Sequence, residues 1–338
     1  MSNSIDYTGR EPLVEARHLK KYFKLPRKGV LHAVDDLSFN VYPGETLGLV
    51  GESGCGKSTV GNVMMRLLPK TDGQLLYRGK DVFTEWPDKL EISKKMQIIF
   101  QDPYSSLNPR KTVDKILSEP YFIHKYGGGD AIAKAVRELC DRVELPHNIL
   151  SRFPHELDGG MRQVVGIARA LSLDSDLIIC DEPVSSLDVS VQARIINLLM
   201  DLQKRLNLSY LFISHDLSVV RHISNRIAIM YLGQIVEMAD TDEIFTNAMH
   251  PYSIALLSAV PRVNTGSKVA RIVLKGDVPS PVNPKPGCRF APRCWMSRPA
   301  CAAENQELVE TAPGHFVFCR FAAEARERAK AAQTYSLD

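Results

Sequence analysis

The residues with the clearest chemical potential form a glycine-rich loop. Gly51-Glu-Ser-Gly-Cys-Gly-Lys57-Ser58 fits the pattern G-x-x-x-x-G-K-[ST] without a gap. Glycines let backbone N–H groups curl around phosphates, and the helix predicted to follow adds a favourable dipole. Lys57 would reach the β- and γ-phosphates, and the Ser58 hydroxyl would bind Mg²⁺. A chance glycine-rich turn is disfavoured by the strand before the loop and the helix after it. The predicted nucleotide contacts in this loop are Gly51, Glu52, Ser53, Gly54, Cys55, Gly56, Lys57, Ser58 and Thr59.

Two acidic residues end a second apolar run, Leu177-Ile-Ile-Cys180, which is typical of a buried parallel strand. A carboxylate at a strand tip can hold Mg²⁺ through water, which suits Asp181. The next acid can polarise an attacking water, which suits Glu182. The alternative, an acid pair that caps a helix, is weaker because a phosphate loop lies upstream. The pair therefore predicts that ATP or a related nucleotide is hydrolysed.

The elements that must position these residues alternate between strand and helix patterns. Apolar runs predict buried strands, and apolar residues at helical spacing predict helices between them. The predicted strands are 45–50, 177–180 and 210–214, and the predicted helices are 57–68, 160–172 and 191–206. Short strands around a basic loop are predicted over 13–41, and mostly helical structure over 114–145. The alternation implies an α/β fold with a mostly parallel sheet.

Length and charge limit the classes of function. The 338 residues allow one large domain and a smaller appendage. The net charge of +3 gives no reason to expect a nucleic-acid partner. The N-terminus is polar and lacks the apolar core of a signal peptide, and no stretch reaches the roughly 20 apolar residues that span a bilayer. We therefore expect a cytosolic chain whose link to a membrane runs through partner subunits.

Further motifs stand in the order typical of one ATPase family. They are Gln101 after the apolar run 98–100, Leu157-Asp-Gly-Gly-Met161, Ser186-Leu-Asp188, and His215 after a predicted strand. With the phosphate loop and the acid pair, these motifs make the chain resemble ABC ATPases across nearly its whole length. The second of them stands where the ABC signature belongs.

The resemblance implies a role for each residue. Lys57, Gln101, Glu182 and His215 would form the catalytic set, and Gln101 would also sense Mg²⁺ held by Ser58 and Asp181. Two such subunits would pair head to tail, with ATP between the phosphate loop of one and the signature of the other. Water would attack the γ-phosphate without a covalent enzyme intermediate. The further implied nucleotide contacts are Phe23, which would stack on adenine, Val34, Asp158, Gly159, Gly160 and Asp188.

The signature departs from the family pattern at Asp158, where the family has serine. A carboxylate near the γ-phosphate of a partner's ATP is a like charge. Two unit charges ~4 Å apart at an effective dielectric constant near 20 interact by about 4 kcal/mol before screening. Asp158 is also a favoured N-cap for the helix predicted to follow, and both effects can hold at once. We hypothesise that the ATP site built on this signature is slow or mainly structural. Val164, where the family often has arginine, is a second irregularity.

Three segments resemble the oligopeptide, dipeptide and nickel import branch of the family. They are the extended Q-loop 101–109, the segment 250–261 that begins His-Pro-Tyr, and a cysteine-rich tail. Details favour the F-type partner of a D/F heterodimer. The branch implies a second ATPase subunit, two membrane-spanning permeases and an extracytoplasmic substrate-binding protein. It implies a peripheral position on the cytoplasmic face of the inner membrane.

The tail carries four cysteines in the spacing C-x5-C-x6-C-x17-C: Cys288, Cys294, Cys301 and Cys319. Four thiolates can bind zinc or an iron–sulfur cluster, and the C-x2-C pairs of common zinc sites are missing. The resemblance implies a [4Fe–4S] cluster, and zinc and unligated thiols stay open as alternatives.

These observations together predict an ABC-type P-loop ATPase domain over 10–260, with a mostly parallel sheet, an antiparallel β subdomain and a helical subdomain over about 103–172. A small cysteine-rich C-terminal extension over 261–325 and a flexible tail over 326–338 follow. The predicted function is ATP hydrolysis that energises import of peptides or a related small solute. A soluble ABC ATPase acting on nucleic acid or ribosomes, and a nucleotide sensor without hydrolysis, are the competing hypotheses.

Overall fold

The computed structural model describes residues 7, 9–86, 88–260, 271–303 and 306–334. In this part of the chain the strands are β1 (Val14–Leu25), β2 (Gly29–Val41), β3 (Thr46–Val50), β4 (Asp72–Tyr77), β5 (Lys80–Asp81), β6 (Met96–Ile99), β7 (Leu177–Asp181), β8 (Ser209–Ser214), β9 (Arg226–Tyr231), β10 (Gln234–Asp240), β11 (Val309–Ala312) and β12 (His315–Val317). The α-helices are α1 (Lys57–Met64), α2 (Lys89–Lys95), α3 (Pro103–Ser106), α4 (Val113–Ile123), α5 (Gly129–Arg142), α6 (Gly159–Ala170), α7 (Val189–Leu206), α8 (Leu217–Ile223), α9 (Thr241–Asn247), α10 (Pro251–Ser258), α11 (Pro299–Ala303) and α12 (Ala322–Thr334).

The larger sheet of the described chain has the strand order β11-β12-β10-β9-β3-β8-β7-β6. The strands from β9 to β6 pair in parallel, and β10, β12 and β11 continue the sheet in antiparallel pairs. Every residue of β3, β7 and β8 is buried, as expected for apolar strands covered on both faces. The predicted α/β fold with a mostly parallel sheet is confirmed.

A second, antiparallel sheet has the order β2-β1-β4-β5 within the described residues. The predicted strands on either side of a basic loop are found, with Pro26–Lys28 as the turn between them. They are longer than predicted, since β1 and β2 run for 12 and 13 residues. Their inward side chains, including Val14, Leu19 and Leu37, are fully buried in one core with β3 and α1. Register shifts along β1 let the long hairpin bend while it keeps this face buried.

The helix after the phosphate loop ends at Met64, four residues before the predicted end. Arg66 adopts a φ of 54°, and the N–H groups of Leu67 and Leu68 donate back to the Asn62 carbonyl at 2.9 and 3.1 Å. Such bonds satisfy the last carbonyls of a helix and stop its propagation. The apolar residue Leu67 is left largely exposed.

The C-terminal part adds an edge to the main sheet and a helix. Strand β12 pairs with β10, so the extension continues the larger sheet. The prediction of a flexible tail from 326 is corrected by α12, which is helical to Thr334 because Ala325 and Ala329 pack in a cluster with Ile254 and Met296. Residues 261–270 and 335–338 lie outside the described chain, and the domain boundary near 261 stays a prediction. None of the described helices is both long and apolar enough to cross a membrane.

Candidate functional site

The phosphate loop connects the end of β3 to the start of α1. Gly56 adopts a φ of 111°, and a Cβ there would lie 2.0 Å from the Ala33 carbonyl oxygen, so only glycine fits this close approach. The buried Lys57 folds back across the loop. Its Nζ donates to the carbonyl oxygens of Gly51 at 2.8 Å and Glu52 at 3.1 Å. The loop thereby holds the ammonium group where phosphate oxygens would meet it.

A hydroxyl and a carboxylate meet beside the loop. Ser58 Oγ donates to Asp181 Oδ1 at 2.9 Å. Burial raises the pKa of Asp181 and the neighbouring Glu182 adds to the rise, although the Ser58 hydrogen bond opposes it. Oxygen donors of this kind suit a hard cation, so the pair fits Mg²⁺. A cation bound beside Asp181 would favour its ionised form.

Glu182 lies at the meeting point of two further predicted residues. Gln101 Nε2 donates to Glu182 Oε2 at 3.0 Å, and His215 Nδ1 lies 3.2 Å from the same oxygen. Gln101, Glu182 and His215 follow β6, β7 and β8, which are neighbours in the sheet, and the phosphate loop follows the adjacent β3. Ligands of open α/β sheets bind at this edge, where the strands end.

The backbone of Glu182 has a conformation that the sequence did not reveal. Its φ is 46°, in the left-handed region that residues other than glycine rarely adopt, and its N–H donates to the Ile213 carbonyl at 3.0 Å. Such a conformation costs about 1–3 kcal/mol and persists where the surroundings hold it in place. The residue predicted to polarise the attacking water is therefore one of the described non-glycine residues with a backbone of this kind.

These groups surround one cleft of ≈ 510 Å³. The residues that line it are Phe23, Leu31, His32, Ala33, Ser53, Gly54, Cys55, Gly56, Lys57, Ser58, Thr59, Gln101, Glu182, His215 and Pro281. Gly51, Glu52 and Asp181 adjoin it through the contacts above. Val34, predicted as a nucleotide contact, is instead 0% exposed in the core, and its neighbours on β2 line the cleft.

Four residues of this lining were not predicted from the sequence: Leu31, His32, Ala33 and Pro281. Leu31 lies opposite Phe23 in the register of the β1–β2 hairpin, so a correct hairpin prediction would have found it. His32 stacks on Tyr22 with ring centroids 4.0 Å apart. Pro281 comes from the distant C-terminal extension, and no local pattern indicates its position.

The signature residues form a separate groove. Asp158 is the N-cap of α6, and its Oδ1 accepts from the Met161 N–H at 2.7 Å. Asp158, Gly159, Gly160 and Asp188 line a groove of ≈ 520 Å³ that shares no lining residue with the phosphate-loop cleft. The structure therefore does not bring these four residues to the chain's own phosphate loop.

The four tail cysteines line one small cavity with His250, Phe290 and other side chains. Burial raises the pKa of Cys288, and it raises the pKa of Cys294 to about 11 and of Cys319 to about 12. Across the described residues, no group of three or more His, Cys, Asp or Glu side chains is arranged to hold a metal ion. The structure therefore does not show the predicted [4Fe–4S] cluster or its zinc alternative, and both stay predictions.

Two family descriptions match separate parts of the chain. "ABC transporter" matches residues 34–185, and "Oligopeptide/dipeptide transporter, C-terminal region" matches residues 236–301. The first match contains the phosphate loop, the signature and the acid pair. The second contains the segment His250–Val260 and the first three tail cysteines.

Similar proteins extend these matches over most of the chain. The oligopeptide transport ATP-binding protein AppF of Bacillus subtilis (strain 168) is 50% identical over 320 residues, which cover 92% of this chain and 97% of the relative. OppF of the same organism, which bears the same description, is 48% identical over 312 residues, 91% of this chain and 96% of the relative. Among solved structures, the dimeric ATP-binding cassette MJ0796 bound to ADP and Pi superposes with a TM-score of 0.60 at 26% identity, and the match covers 68% of this chain and 98% of that one.

Proposed function

The chain belongs to the ATP-binding subunits of ABC transporters that carry the oligopeptide/dipeptide C-terminal region, and from this premise we propose that its ATPase activity drives import of peptides or a related small solute. The single observation that carries the proposal is the convergence on one cleft of the phosphate loop with Lys57, the Ser58–Asp181 pair and the Glu182–Gln101–His215 group. Binding and hydrolysis of ATP require this set of groups together.

Each residue of the cleft would have a separate role in hydrolysis. The loop N–H groups and Lys57 would bind the β- and γ-phosphates, and Ser58 and Asp181 would hold Mg²⁺, which neutralises phosphate charge when bound. The Glu182 carboxylate, oriented by the Gln101 amide, would accept a hydrogen bond from the attacking water. A P–O bond then forms at the γ-phosphorus as the bond to ADP breaks, and the products are ADP and inorganic phosphate.

We propose further that the chain works in a dimer of unlike ATPase subunits, as the F-type member. In support, the groove of Asp158, Gly159, Gly160 and Asp188 is separate from the chain's own cleft and is open to a second subunit. The carboxylate of Asp158 would lie near the partner's γ-phosphate, so the site built on this signature would be the slower of the two. The site built on Lys57 would borrow the partner's signature and would be fully active.

The helical region offers a surface for the proposed permeases. Phe122 is 63% exposed, and Ile123 and Tyr126, which follow it in sequence, are also largely exposed. Exposed aromatic and aliphatic groups of this kind mark protein–protein contacts. We propose that two permeases dock against this region at the cytoplasmic face of the membrane. An external binding protein and the permeases would then select the cargo.

We also propose that the tail cysteines bind a [4Fe–4S] cluster, although no metal-holding group is found among the described side chains. The support is chemical, since four thiols from distant positions line one cavity. Iron and sulfide content and absorbance at about 400 nm in anaerobically purified protein test this. Stoichiometric zinc, or neither metal, would contradict it.

Co-purification tests the proposed function. A tagged chain expressed with its neighbouring transport genes should carry two multi-span permeases and a second ATPase subunit. ATP turnover of the complex should fall on Glu182→Gln to the slower rate of the partner's site. Purification with ribosomes or nucleic acid would favour the first competing hypothesis. ATP binding without turnover in the assembled complex would favour a nucleotide sensor.

A further inference from the structure

The C-terminal extension returns to the nucleotide cleft along the outer edge of β2. The His32 N–H donates to the Pro281 carbonyl at 3.0 Å, and the Asn283 N–H donates to the Val30 carbonyl at 2.9 Å. Leu31 and Val282 form an antiparallel bridge between these bonds. The segment 281–283 thus continues the antiparallel sheet past β2, which is an edge strand of that sheet in the described chain.

This pairing places Pro281 in the wall of the cleft. Phe23 pairs with Leu31 across the hairpin, and Leu31 pairs in turn with Val282. Phe23, Leu31 and Pro281 all line the cleft, so three adjacent stretches of backbone build its apolar part. An apolar wall of this kind suits the base and ribose of a nucleotide, since the phosphates are met by the loop and Lys57.

Asn283 is a specific anchor for the segment. Its Oδ1 accepts from the Val30 N–H at 2.9 Å, in addition to the backbone bond above. Gly29 has a φ of 104°, and a Cβ at that position would lie 2.0 Å from the Asn283 side chain. The turn between β1 and β2 therefore leaves space that the asparagine fills.

Arg289 ties the extension to the same wall a second time. Its guanidinium pairs with Asp35 and donates to the Leu232 carbonyl. Asp35 also accepts from the Tyr22 hydroxyl and lies 3.1 Å from Nδ1 of His32, a residue of the cleft lining. Burial alone would raise the pKa of Asp35, but these hydrogen bonds and the arginine hold it below its usual value. The carboxylate thus stays ionised as the centre of the anchor.

Arg293 reaches the phosphate loop itself. Its two terminal nitrogens donate to the two carboxylate oxygens of Glu52 at 2.8 and 3.3 Å, and its side chain is 9% exposed. The Glu52 N–H donates to the Tyr252 hydroxyl at 3.2 Å. A forked pair of this kind fixes orientation as well as distance. The extension is therefore held to the loop as well as to β2.

From these contacts we propose that Pro281–Asn283 is part of the nucleotide-binding site, with Pro281 as a contact for the base and ribose and Asn283 as its positioning residue. This inference rests on the binding of ATP in the cleft. It assigns to the C-terminal extension a direct share of nucleotide affinity. The ligand concerned is an adenine nucleotide. The affinity for the phosphate groups alone should not depend on this segment.

Binding of ADP and of pyrophosphate, each with Mg²⁺, separates the two ends of the site. Pro281→Ala should weaken ADP binding about three- to tenfold by removing buried apolar contact, and should leave pyrophosphate binding unchanged. Asn283→Ala should act in the same direction and more weakly, since a backbone bond to Val30 remains. Val278→Ala is the matched control, because it shortens an exposed apolar side chain of the same segment. Isothermal titration calorimetry gives the Kd of ADP for each variant. The Kd of pyrophosphate is obtained from its competition with ADP.

Selective loss of ADP affinity in Pro281→Ala, with Val278→Ala like wild type, supports the proposal. Unchanged ADP affinity overturns it, and so does an equal loss for ADP and pyrophosphate, which would mean general loosening of the loop. In either of those cases, the proposed function still stands if the wild-type complex turns over ATP and Glu182→Gln lowers that turnover. A wild-type chain that binds no ADP overturns both.

Discussion

Asp158→Ser should accelerate the ATP site that this chain's signature completes on its partner. The like-charge term of about 4 kcal/mol at ~4 Å is an upper bound, because Mg²⁺, the partner's loop lysine and the start of α6 all screen it. If about a third of it survives, near 1.4 kcal/mol, turnover at that site should rise about tenfold. Serine is also a good N-cap, so its hydroxyl can accept the hydrogen bond that the Met161 N–H donates to Asp158, and the fold should be retained.

The assay must isolate that site, because the other site of the dimer would hide the gain. If one site is slow and the other fast, total turnover can rise only about twofold when the slow site recovers fully. Glu182→Gln in this chain silences its own site and leaves the partner's site with the Asp158 signature. In that background, phosphate release by the assembled complex is compared for Asp158, Asp158→Ser and Asp158→Asn. Asparagine matches the shape and the cap without the charge, so both variants should gain. No gain, or a fall, in both variants would refute the electrostatic reasoning.

Two further predictions concern the core and the metal site. His315→Ala should destabilise the chain by about 3–5 kcal/mol, since Glu237, 0% exposed and 2.7 Å from His315 Nε2, would lose its charged partner. Burial lowers the pKa of His315, but pairing with Glu237 and Glu243 raises it overall, so the stabilisation is full below about pH 6.5 and declines as pH rises through the folded-state pKa. Urea unfolding of both proteins at several pH values measures this, and an equal difference at every pH would contradict it. Asp181→Asn should raise the Mg²⁺ concentration for half-maximal turnover at least about tenfold, because a charged oxygen ligand is lost. A Mg²⁺ titration of the ATPase rate checks this, and an unchanged midpoint would remove Asp181 from the metal site.

The parts of the site that the sequence predicted well are those with strict local requirements. The phosphate loop needs glycine at Gly56 because of its φ and its contact with Ala33, and such a need is visible in the residue type. The buried strands β3, β7 and β8 are continuous apolar runs, so their positions follow from composition alone. Because each ends at a motif, the meeting of the loop, Glu182 and His215 at one edge of the sheet could be predicted.

The parts that the sequence did not predict depend on contacts between distant residues. Pro281 reaches the cleft through a bond between Asn283 and Val30, which are 253 positions apart. The helix α12 is fixed by packing against Ile254 and Met296, which an alanine-rich and charged segment does not indicate. Val34 was wrongly predicted to contact the nucleotide, because the pairing of β2 with β1 decides which side chains of β2 point into the core. The left-handed backbone of Glu182 follows from the fold around it, and the residue type gives no indication of it.

The role of Glu182 in ATP hydrolysis is tested most directly by the ATPase rate of the assembled transporter with Glu182→Gln in this chain and the matching change in its partner. We predict that turnover falls at least about a hundredfold, the usual contribution of a group that activates water, while ATP binding is retained. Turnover near the wild-type rate would contradict it, because the Glu182 carboxylate, held by Gln101 and His215, would then have no part in hydrolysis.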